Sequence, residues 1–586
     1  MPVLTLNSFV EIVCLDFEFQ APPGELPRPV CLVAKELRSG NLHRIWLDGE
    51  AWPKEPPFAH GPSVLWVAFF GSAELACYLV LGWPFPVWLV DVYVEFRVLT
   101  NGFPVNSSLL GALEYFGIGG MSADQKEDYR QRILAGGPFS AEEQRLILDY
   151  CMRDVIATEH LLARTIASDS VLTGALLRGE YMKVVAQMEH TGVPLDAELY
   201  RSMVEHWNQL QTRVIDRVNH LIPVFEGRNF RIARFEDWLA DRKLLDDWPR
   251  TESGRIALDD DVFRDQASLH SELEPLRLVR QMLGQLHHPG LFVGTDGRNR
   301  CLLSPYRTKT SRNAPSTARF IFAAPSFLRG LIRPEPGQAL AYIDWSQQEF
   351  GAAAALSGDT NMMESYCSGD PYLTFAKLAG AVPPDATEAS HPSERRLFKT
   401  VILGVQYLIS AAGLANRLGV ALSQAQDLLN HHHRIYARFW AWSDAVSDWG
   451  QLYGEISTVF GWPLRMTTST SLRTLRNFPL QANASEMLRL ACILASRAGV
   501  VIAAPVHDAL VVLAPANEIQ HAVAQTQAAM RRASEIVLAG FALRTDVQVI
   551  HYPERFREKR GVLMWRWITE TLSAIEKSPH HRDSVD

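Results

Sequence analysis

Two apolar runs that each deliver a carboxylate to the end of a strand constrain this chain most. In Gly499 to Pro515, GVVIAAPVHDALVVLAP, two β-branched apolar segments flank Pro505 to Asp508 and predict a buried hairpin with His507 and Asp508 at its tip. In Gln338 to Ile343 a short apolar run predicts a buried strand that delivers Asp344 at its end, with Ser346 placed to start a helix. A lone Asp at a strand end is more often a turn or cap residue. Two that a sheet brings together repel one another, and divalent cations a few Å apart relieve that repulsion while clamping the attacking and leaving oxygens of an in-line displacement. Carboxylate oxygens are hard ligands of the kind Mg²⁺ takes.

Between these stretches lies Ser393 to Ser410, SERRLFKTVILGVQYLIS, free of internal proline and carrying Glu394 in its first turn, which reads as a helix. Arg395, Lys399, Leu403 and Tyr407 recur every fourth residue and span ~18 Å at ~1.5 Å per residue, about the length of an extended nucleotide. Arg395 and Lys399 suit a triphosphate at one end, and Tyr407 suits a base at the other. A solvated basic first turn on a packed helix is the plainer reading of such a row taken alone.

In this order and spacing, Asp344-Trp-Ser-Gln-Gln-Glu349, Arg395 with Lys399 and Tyr407, and Val506-His507-Asp508 resemble the motifs of family A DNA polymerases. The resemblance implies a template-directed polymerase that extends primer-template DNA with deoxynucleoside triphosphates. It implies Asp344 and Asp508 as ligands of two Mg²⁺ per active site, with Mn²⁺ as a substitute. Glu349 has two readings: it closes a capping box with Ser346, or, as in the family, it blocks a ribose 2′-OH. The resemblance also assigns Arg312, in Thr310-Ser-Arg-Asn-Ala-Pro-Ser316, and Arg473, Asn477 and Gln481, spaced by four on a helix, to the primer-template face, with His507 beside Asp508. Minor-groove acceptors are nearly alike for all correct pairs, so such residues test pairing without reading sequence. The chain departs from the family at several positions. Leu403 stands for an aromatic residue, Leu408 for the Gly after the motif Tyr, Gly351 for an Arg, Tyr372 for a phosphate-contacting His, and Ala509 for the acid after Asp508.

Nearer the start, Val10 to Phe19, VEIVCLDFEF, reads as a strand with Asp16 and Glu18 on one face. Gln144 to Ala163 reads as a helix with Tyr150 and Asp154 at i and i+4. Asp-x-Glu followed by Tyr-x-x-x-Asp resembles the DEDD 3′–5′ exonucleases, in which the acids bind two metals. The family's intermediate Asp is matched here by Glu74, with Asp91 as the rival, and an inactive remnant stays open as an alternative.

The implied fold is α/β and multi-domain, an RNase H-like exonuclease domain followed by a right-hand polymerase. The expected boundaries are an exonuclease over 1–168, a helical thumb over 169–297, a palm over 298–357 and 471–586, and fingers over 358–470. Within 169–297 the sequence itself says only that Glu180 to His190 and Asp196 to Leu221 are helical, broken at Thr191 to Pro194.

A net charge of −8 over 586 residues does not advertise nucleic-acid binding, so local charge carries that argument. Arg298, Arg300, Arg307, Lys309, Arg312, Arg319, Arg329 and Arg333 follow one another with no Asp or Glu between them and are expected to face phosphates. Seven cysteines without a CxxC pair suggest reduced thiols and a cytoplasmic setting. The apolar run Val64 to Val94 holds Glu74, Pro84 and Pro86, so a buried α/β core is expected rather than a membrane span. The triple His431-His432-His433 is expected on a partly exposed helix face, because consecutive helical residues point about 100° apart. The tail from Ser578 is expected to be disordered. A monomer with accessory replication proteins completes the expectation. The rivals are a single-subunit RNA polymerase, which Glu349 and the exonuclease motif oppose, and a non-catalytic DNA-binding scaffold.

Overall fold

The computed structural model describes residues 4–47, 52–120, 122–251, 253–284 and 290–577; the tail from Ser578 lies outside them. The chain divides into two compact units, one of residues 1–192, 302–314 and 340–549, the other of residues 193–301, 315–339 and 550–586.

The first unit contains two large sheets and a two-stranded one of Glu455–Ser457 and Pro463–Arg465. One is built from β1 (Glu11–Gln20), β2 (Arg28–Glu36), β3 (Leu42–Trp46), β4 (Val64–Ala68) and β5 (Trp88–Asp91), in the order β3-β2-β1-β4-β5. The β1–β2 and β2–β3 pairs are antiparallel, and β1–β4 and β4–β5 are parallel. The β4–β5 crossover is the helix Gly71–Leu81, as parallel strands require. The run Val64 to Val94 is therefore strand, helix and strand, and among the described residues no helix is long and apolar enough to cross a membrane.

The helix Ala141–Thr165 opens with a capping box between Ser140 and Glu143 and buries Ile147, Cys151, Val155 and Leu162 in the core of this sheet. The next helix, Asp169–Thr191, approaches β5 so closely that a Cβ at Gly179 would lie 1.9 Å from the Leu89 carbonyl oxygen, which explains the glycine.

The second sheet contains β6 (Gln338–Trp345), β7 (Val501–Val506), β8 (Ala509–Pro515) and β9 (Thr545–His551) in the order β7-β8-β6-β9. β7 and β8 form the expected hairpin, with Val506 paired to Ala509. The helix Leu472–Arg497 packs against β7 and against the helix Ile519–Val537.

Between β6 and the helix Leu472–Arg497 stands a helical insertion that includes Pro371–Leu378, Pro392–Gln406, Leu422–Ile435 and Ala437–Tyr453. The helix expected over Ser393 to Ser410 starts at Pro392 and ends at Gln406. Tyr407 caps it, and Leu408 follows with φ 59° in the left-handed region. The histidine triple is only partly exposed as expected. His432 is fully buried, its Nδ1 accepting from Trp440 Nε1 at 3.1 Å, while the ring of exposed His433 stacks on Trp440 at 3.8 Å.

The second unit is mostly helical. The single helix expected over Asp196 to Leu221 is two, Ala197–Glu205 and Trp207–Asn219, because the backbone leaves the helical region at His206 (φ −98°, ψ 13°). Most of the expected phosphate-facing arginines in this unit are already paired. Arg298 meets Glu335 at 2.7 Å, Arg300 meets Asp296 at 2.6 Å, Arg333 meets Asp196 at 3.0 Å, Arg329 pairs with Glu558, and Arg319 lies over the Phe292 ring. The carboxylates that neutralise them come from outside the 298–333 stretch, so the acid-free interval in sequence was not a free surface.

Burial holds His432 neutral and drives its pKa from 6.5 down to about 3. Between those values the unfolded chain holds one more proton than the folded one, so stability falls as pH falls, by up to about 1.4 kcal/mol per pH unit. His432→Gln keeps an acceptor for Trp440 and is expected to flatten this part of the stability profile, measured by urea unfolding from pH 7 to pH 4.

Candidate active sites

β6 and β8 are neighbours at the centre of their sheet, and this adjacency brings Asp344 and Asp508 together. The Trp345 amide donates to the Asp508 carbonyl at 3.4 Å, tying the end of β6 to the hairpin tip. His507, which precedes Asp508, is exposed and turns the hairpin with φ 55°. Burial and the charges of Asp508 and Asp546 push the Asp344 pKa up to about 6, and burial raises Asp508 as well.

The capping-box reading of Glu349 is overturned. The helix starts at Gln348 after a left-handed Gln347, and the Ser346 hydroxyl donates to Asp546 at 2.6 Å instead of capping the helix. With Gln347 at the N-cap, Ser346 is one residue too early to cap the helix, and the Asp546 carboxylate on β9 takes its hydroxyl. Tyr366 pins the same turn, its hydroxyl donating to the Ser346 carbonyl at 3.1 Å and accepting from the Arg544 amide at 2.8 Å.

Glu349 accepts from the Tyr407 hydroxyl. Gln481 also bonds Tyr407, and Arg473 donates to the carbonyls of Tyr407 and Leu408 at 3.1 and 3.2 Å. Arg473 thus meets the end of the Pro392–Gln406 helix, while Asn477 Oδ1 is buried without a hydrogen-bond partner among the described residues. Arg395 is ion-paired with Asp370 and, at 3.0 Å, with Glu388. The Tyr372 ring is buried beneath Arg395 and Lys399, at 5.8 and 5.6 Å from their charged groups, so it supports the cations and does not project as an exposed His would. Leu403 is half-buried on the same helix.

The loop carrying Arg312 is held by a buried ion pair. Arg489, bonded to Glu486 at 2.8 Å, donates to the Ser311 carbonyl at 2.8 Å and the Ser311 hydroxyl at 2.9 Å. Asn101 grips the same loop at the Lys309 carbonyl, 2.7 Å away. From there the Arg312 charge acts on both Asp508 and Tyr407.

The N-terminal cluster is separate from this one in the first unit's other sheet. Asp16 and Glu18 share a face of β1, and Asp16 accepts from Cys151 at 3.3 Å. Ligand atoms of Asp16, Glu18 and Cys151 lie within 4.8 Å of one another, the one such metal-competent group found among the described residues. Glu74, in the first turn of its helix, accepts from the Phe17 amide at 2.7 Å, just past the end of the β1–β4 pairing. Asp154 is ion-paired with Lys126 and lies on one helix with Tyr150. Burial and the Asp154 charge push Asp16 to about 8; burial and the Asp16 charge raise Glu18 and Glu74 too. Asp91 is excluded as the rival. It is fully buried and accepts from the amides of Gly71 at 2.7 Å, Phe70 at 3.2 Å and Val94 at 3.2 Å, so it caps two helices.

A profile of DNA polymerase family A matches residues 321–550, the interval that holds Asp344, Glu349, Arg395, Lys399, Tyr407 and Asp508. Residues 321–550 belong to DNA polymerase family A. DNA polymerase I of Chloroflexus aurantiacus is 26% identical over 426 residues, covering 64% of this chain and 43% of that protein. The thermostable DNA polymerase I of Thermus aquaticus is 24% identical over 413 residues, 62% of this chain and 46% of that one. The DNA polymerase of Mycobacterium phage L5 is 23% identical over 385 residues, 63% of this chain and 60% of that one. The chain spans about half the length of the curated bacterial relatives it matches. The fold is that of the POL domain of Pol1 from M. smegmatis, solved in complex with DNA primer-template and dNTP (TM-score 0.67, 18% identity, 92% of this chain and 94% of that one).

Within the family A region, sequence reasoning missed Asp546 and Asp370. Asp546 adds a third carboxylate beside Asp344 from β9, where Ala509 offers none; no strand run announces it, because TDVQVIH is edge-like and polar. The absence of a side chain at residue 351 also has a local cause, since a Cβ there would lie 2.5 Å from Leu543 and 2.9 Å from Tyr366.

Removing Arg489 would leave Glu486 as an uncompensated buried charge. Arg489→Ala is expected to cost about 3–5 kcal/mol in urea unfolding, whereas Arg312→Ala should cost little.

Proposed function

We propose that this chain is a template-directed DNA polymerase with a 3′–5′ proofreading exonuclease. The reading takes residues 1–168 as the exonuclease, 169–297 as the thumb, 298–357 and 471–586 as the palm, and 358–470 as the fingers. The observation that supports it most strongly is the pairing of Asp344 and Asp508 on adjacent strands, beside a helix that carries Arg395, Lys399 and Tyr407.

The donor set fits divalent cations. Asp344 and Asp508 offer only carboxylate oxygens; burial raises both pKa values, with the charges of Asp508 and Asp546 adding at Asp344 and that of Glu349 at Asp508, and bound cations would favour the ionised forms. Mg²⁺ held there would supply positive charge to the attacking 3′-oxygen and to the leaving phosphate. Arg395 and Lys399 take the triphosphate, Arg395 exchanging the carboxylates of Asp370 and Glu388 for phosphate oxygens. Tyr407 leaves Glu349 to support the incoming base, and Glu349 then stands where a ribose 2′-OH would fall. Arg312, Arg473, Asn477 and Gln481 follow the primer end, and His507 flanks it. Closure of the Pro392–Gln406 helix over a correct pair completes the site.

The N-terminal cluster is read as the second active site. Asp16, Glu18, Glu74 and Asp154 hold divalent cation, and Tyr150 positions the attacking water.

A labelled primer on a short template, with Mg²⁺ and deoxynucleotides, is expected to lengthen, and without deoxynucleotides to shorten. Asp508→Asn should cut extension by at least about 1,000-fold and leave shortening in place. Asp16→Ala with Glu18→Ala should do the reverse. Extension that survives Asp508→Asn would remove the polymerase assignment of this site. Glu349→Ala should raise the use of ribonucleotides by about 100-fold relative to deoxynucleotides, read by single-nucleotide insertion.

A further inference from the structure

The loop that carries Arg312 has no regular backbone pairing of its own, since residues 302–314 form neither strand nor helix. Ser304, Tyr306 and Ser311 stand in the left-handed region, with φ 49°, 57° and 60°. A backbone of this kind keeps its shape where side chains from elsewhere take its carbonyls. Arg489 takes one, at Ser311.

Three more are taken from the N-terminal region. The helix Val92–Thr100 follows β5 and is capped by Asp91. From its last turn Arg97 donates to the carbonyls of Tyr306 at 3.4 Å and Arg307 at 3.2 Å. Asn101, at the C-terminal cap, is fully buried. Its side-chain amide donates to the Lys309 carbonyl at 2.7 Å and to the Pro463 carbonyl at 2.6 Å, and its Oδ1 accepts from Arg97 at 3.4 Å. Asn101 is thus where the N-terminal region, the Arg312 loop and the hairpin of Glu455–Ser457 and Pro463–Arg465 meet.

The helix that presents Arg97 and Asn101 is itself held firmly. Glu95 forms a two-point ion pair with Arg178 at 2.6 Å, with side chains 1% and 11% exposed. Arg465 donates its amide to the Asn101 carbonyl at 3.0 Å and its guanidinium to the Val98 carbonyl at 2.6 Å. The approach is so close that a Cβ at Gly102 would lie 2.1 Å from the Arg465 carbonyl oxygen.

We propose that Asn101 and Arg97 are positioning residues of the polymerase site, which set the place of Arg312 against the primer end; this role rests on the reading of Arg312 as a primer-end contact. Arg312 meets a base-pair edge only where the loop holds it within hydrogen-bond reach, and a correct pair presents that edge whereas a mispair displaces it. On the exonuclease reading, residues 1–168 remove nucleotides. Through Asn101 and Arg97 the same region also takes part in checking the pair before any nucleotide is removed.

Single-nucleotide extension of a matched and of a mismatched primer end tests this, in a background of Asp16→Ala with Glu18→Ala so that the ends are not digested. Asn101→Ala should lower kcat/KM on the matched end about tenfold and leave the mismatched end nearly unchanged. Arg312→Ala should do the same, and the double variant should lose no more than either alone, because both act through one contact. Arg97→Met should lose less in the same direction, and Arg97→Lys, which keeps a donor, should restore it. Arg97 is only partly buried, so this pair carries the test where Asn101→Ala fails to fold. No loss, equal losses on matched and mismatched ends, or losses that add in the double variant would overturn the positioning role and leave the reading of Arg312 in force. An unchanged matched-to-mismatched ratio in Arg312→Ala would remove that reading and the positioning role with it.

Discussion

Repulsion between carboxylates at strand ends is the constraint on which the rest of this structure depends. Both large sheets of the first unit carry acids to the edge of a packed core, and in both burial and neighbouring charges disfavour ionisation. At the C-terminal sheet Asp344 is held near pKa 6 by burial, Asp508 and Asp546; at the N-terminal sheet Asp16 is held near 8 by burial and Asp154. Positions of this kind are costly in a metal-free fold and become favourable once cations are bound, which supports the proposed ligation. The two clusters differ in how the charge is met. The first recruits a hydroxyl, Ser346 to Asp546, whereas the second recruits an ammonium, Lys126 to Asp154.

Backbone strain marks the same places. Gln347 and His507, each within three residues of Asp344 or Asp508, occupy the left-handed region, as do Leu408 behind Tyr407 and Ser311 before Arg312. For residues with a Cβ this conformation costs on the order of 1–2 kcal/mol each. Three of the four are held by a specific neighbour: Tyr366 and Arg544 around the turn at Gln347, Arg473 at the Leu408 carbonyl, and Arg489 at Ser311. The functional side chains are aimed by backbone that would relax elsewhere without these partners.

What was legible in the sequence was what depends on local periodicity. The hairpin around Asp508, the strand ending at Asp344, the Asp16–Glu18 strand and the Tyr150–Asp154 helix each carry their signal within about twenty residues, and each formed within a few residues of its expected bounds. What failed depended on partners distant in the chain. Ser346 looked like a helix cap until a strand 200 residues later offered Asp546. The arginines from 298 to 333 looked free because Asp196, Glu335 and Glu558 are remote or just beyond the stretch. Lys126 lies in a polar helix with no periodic apolar face, so nothing in its own segment distinguishes it from a solvated lysine. Asp91 failed as a ligand for a different reason. A strand-end Asp is equally suited to capping, and two helix N-termini claimed its oxygens first.

The side chains that the proposed reading turns towards the nucleotide have partners that the sequence did not name. Arg395 rests on Asp370 and Glu388, Tyr407 on Glu349, and Arg473 on the carbonyls after Tyr407. Arg395 is already ion-paired and Tyr407 already bonded inside the protein, so a triphosphate and base that took them would exchange partners and not fill an empty site. An exchange returns only the difference between two sets of hydrogen bonds. A ligand that replaces one contact and leaves another unmet gains little, since buried polar groups left unpaired cost 1–3 kcal/mol each. A substrate that satisfies phosphate, sugar and base positions together gains at all of them, because the three contacts converge on the single helix Pro392–Gln406 and its cap at Tyr407. Selectivity in such a site follows from how many of the internal bonds one ligand can replace at once.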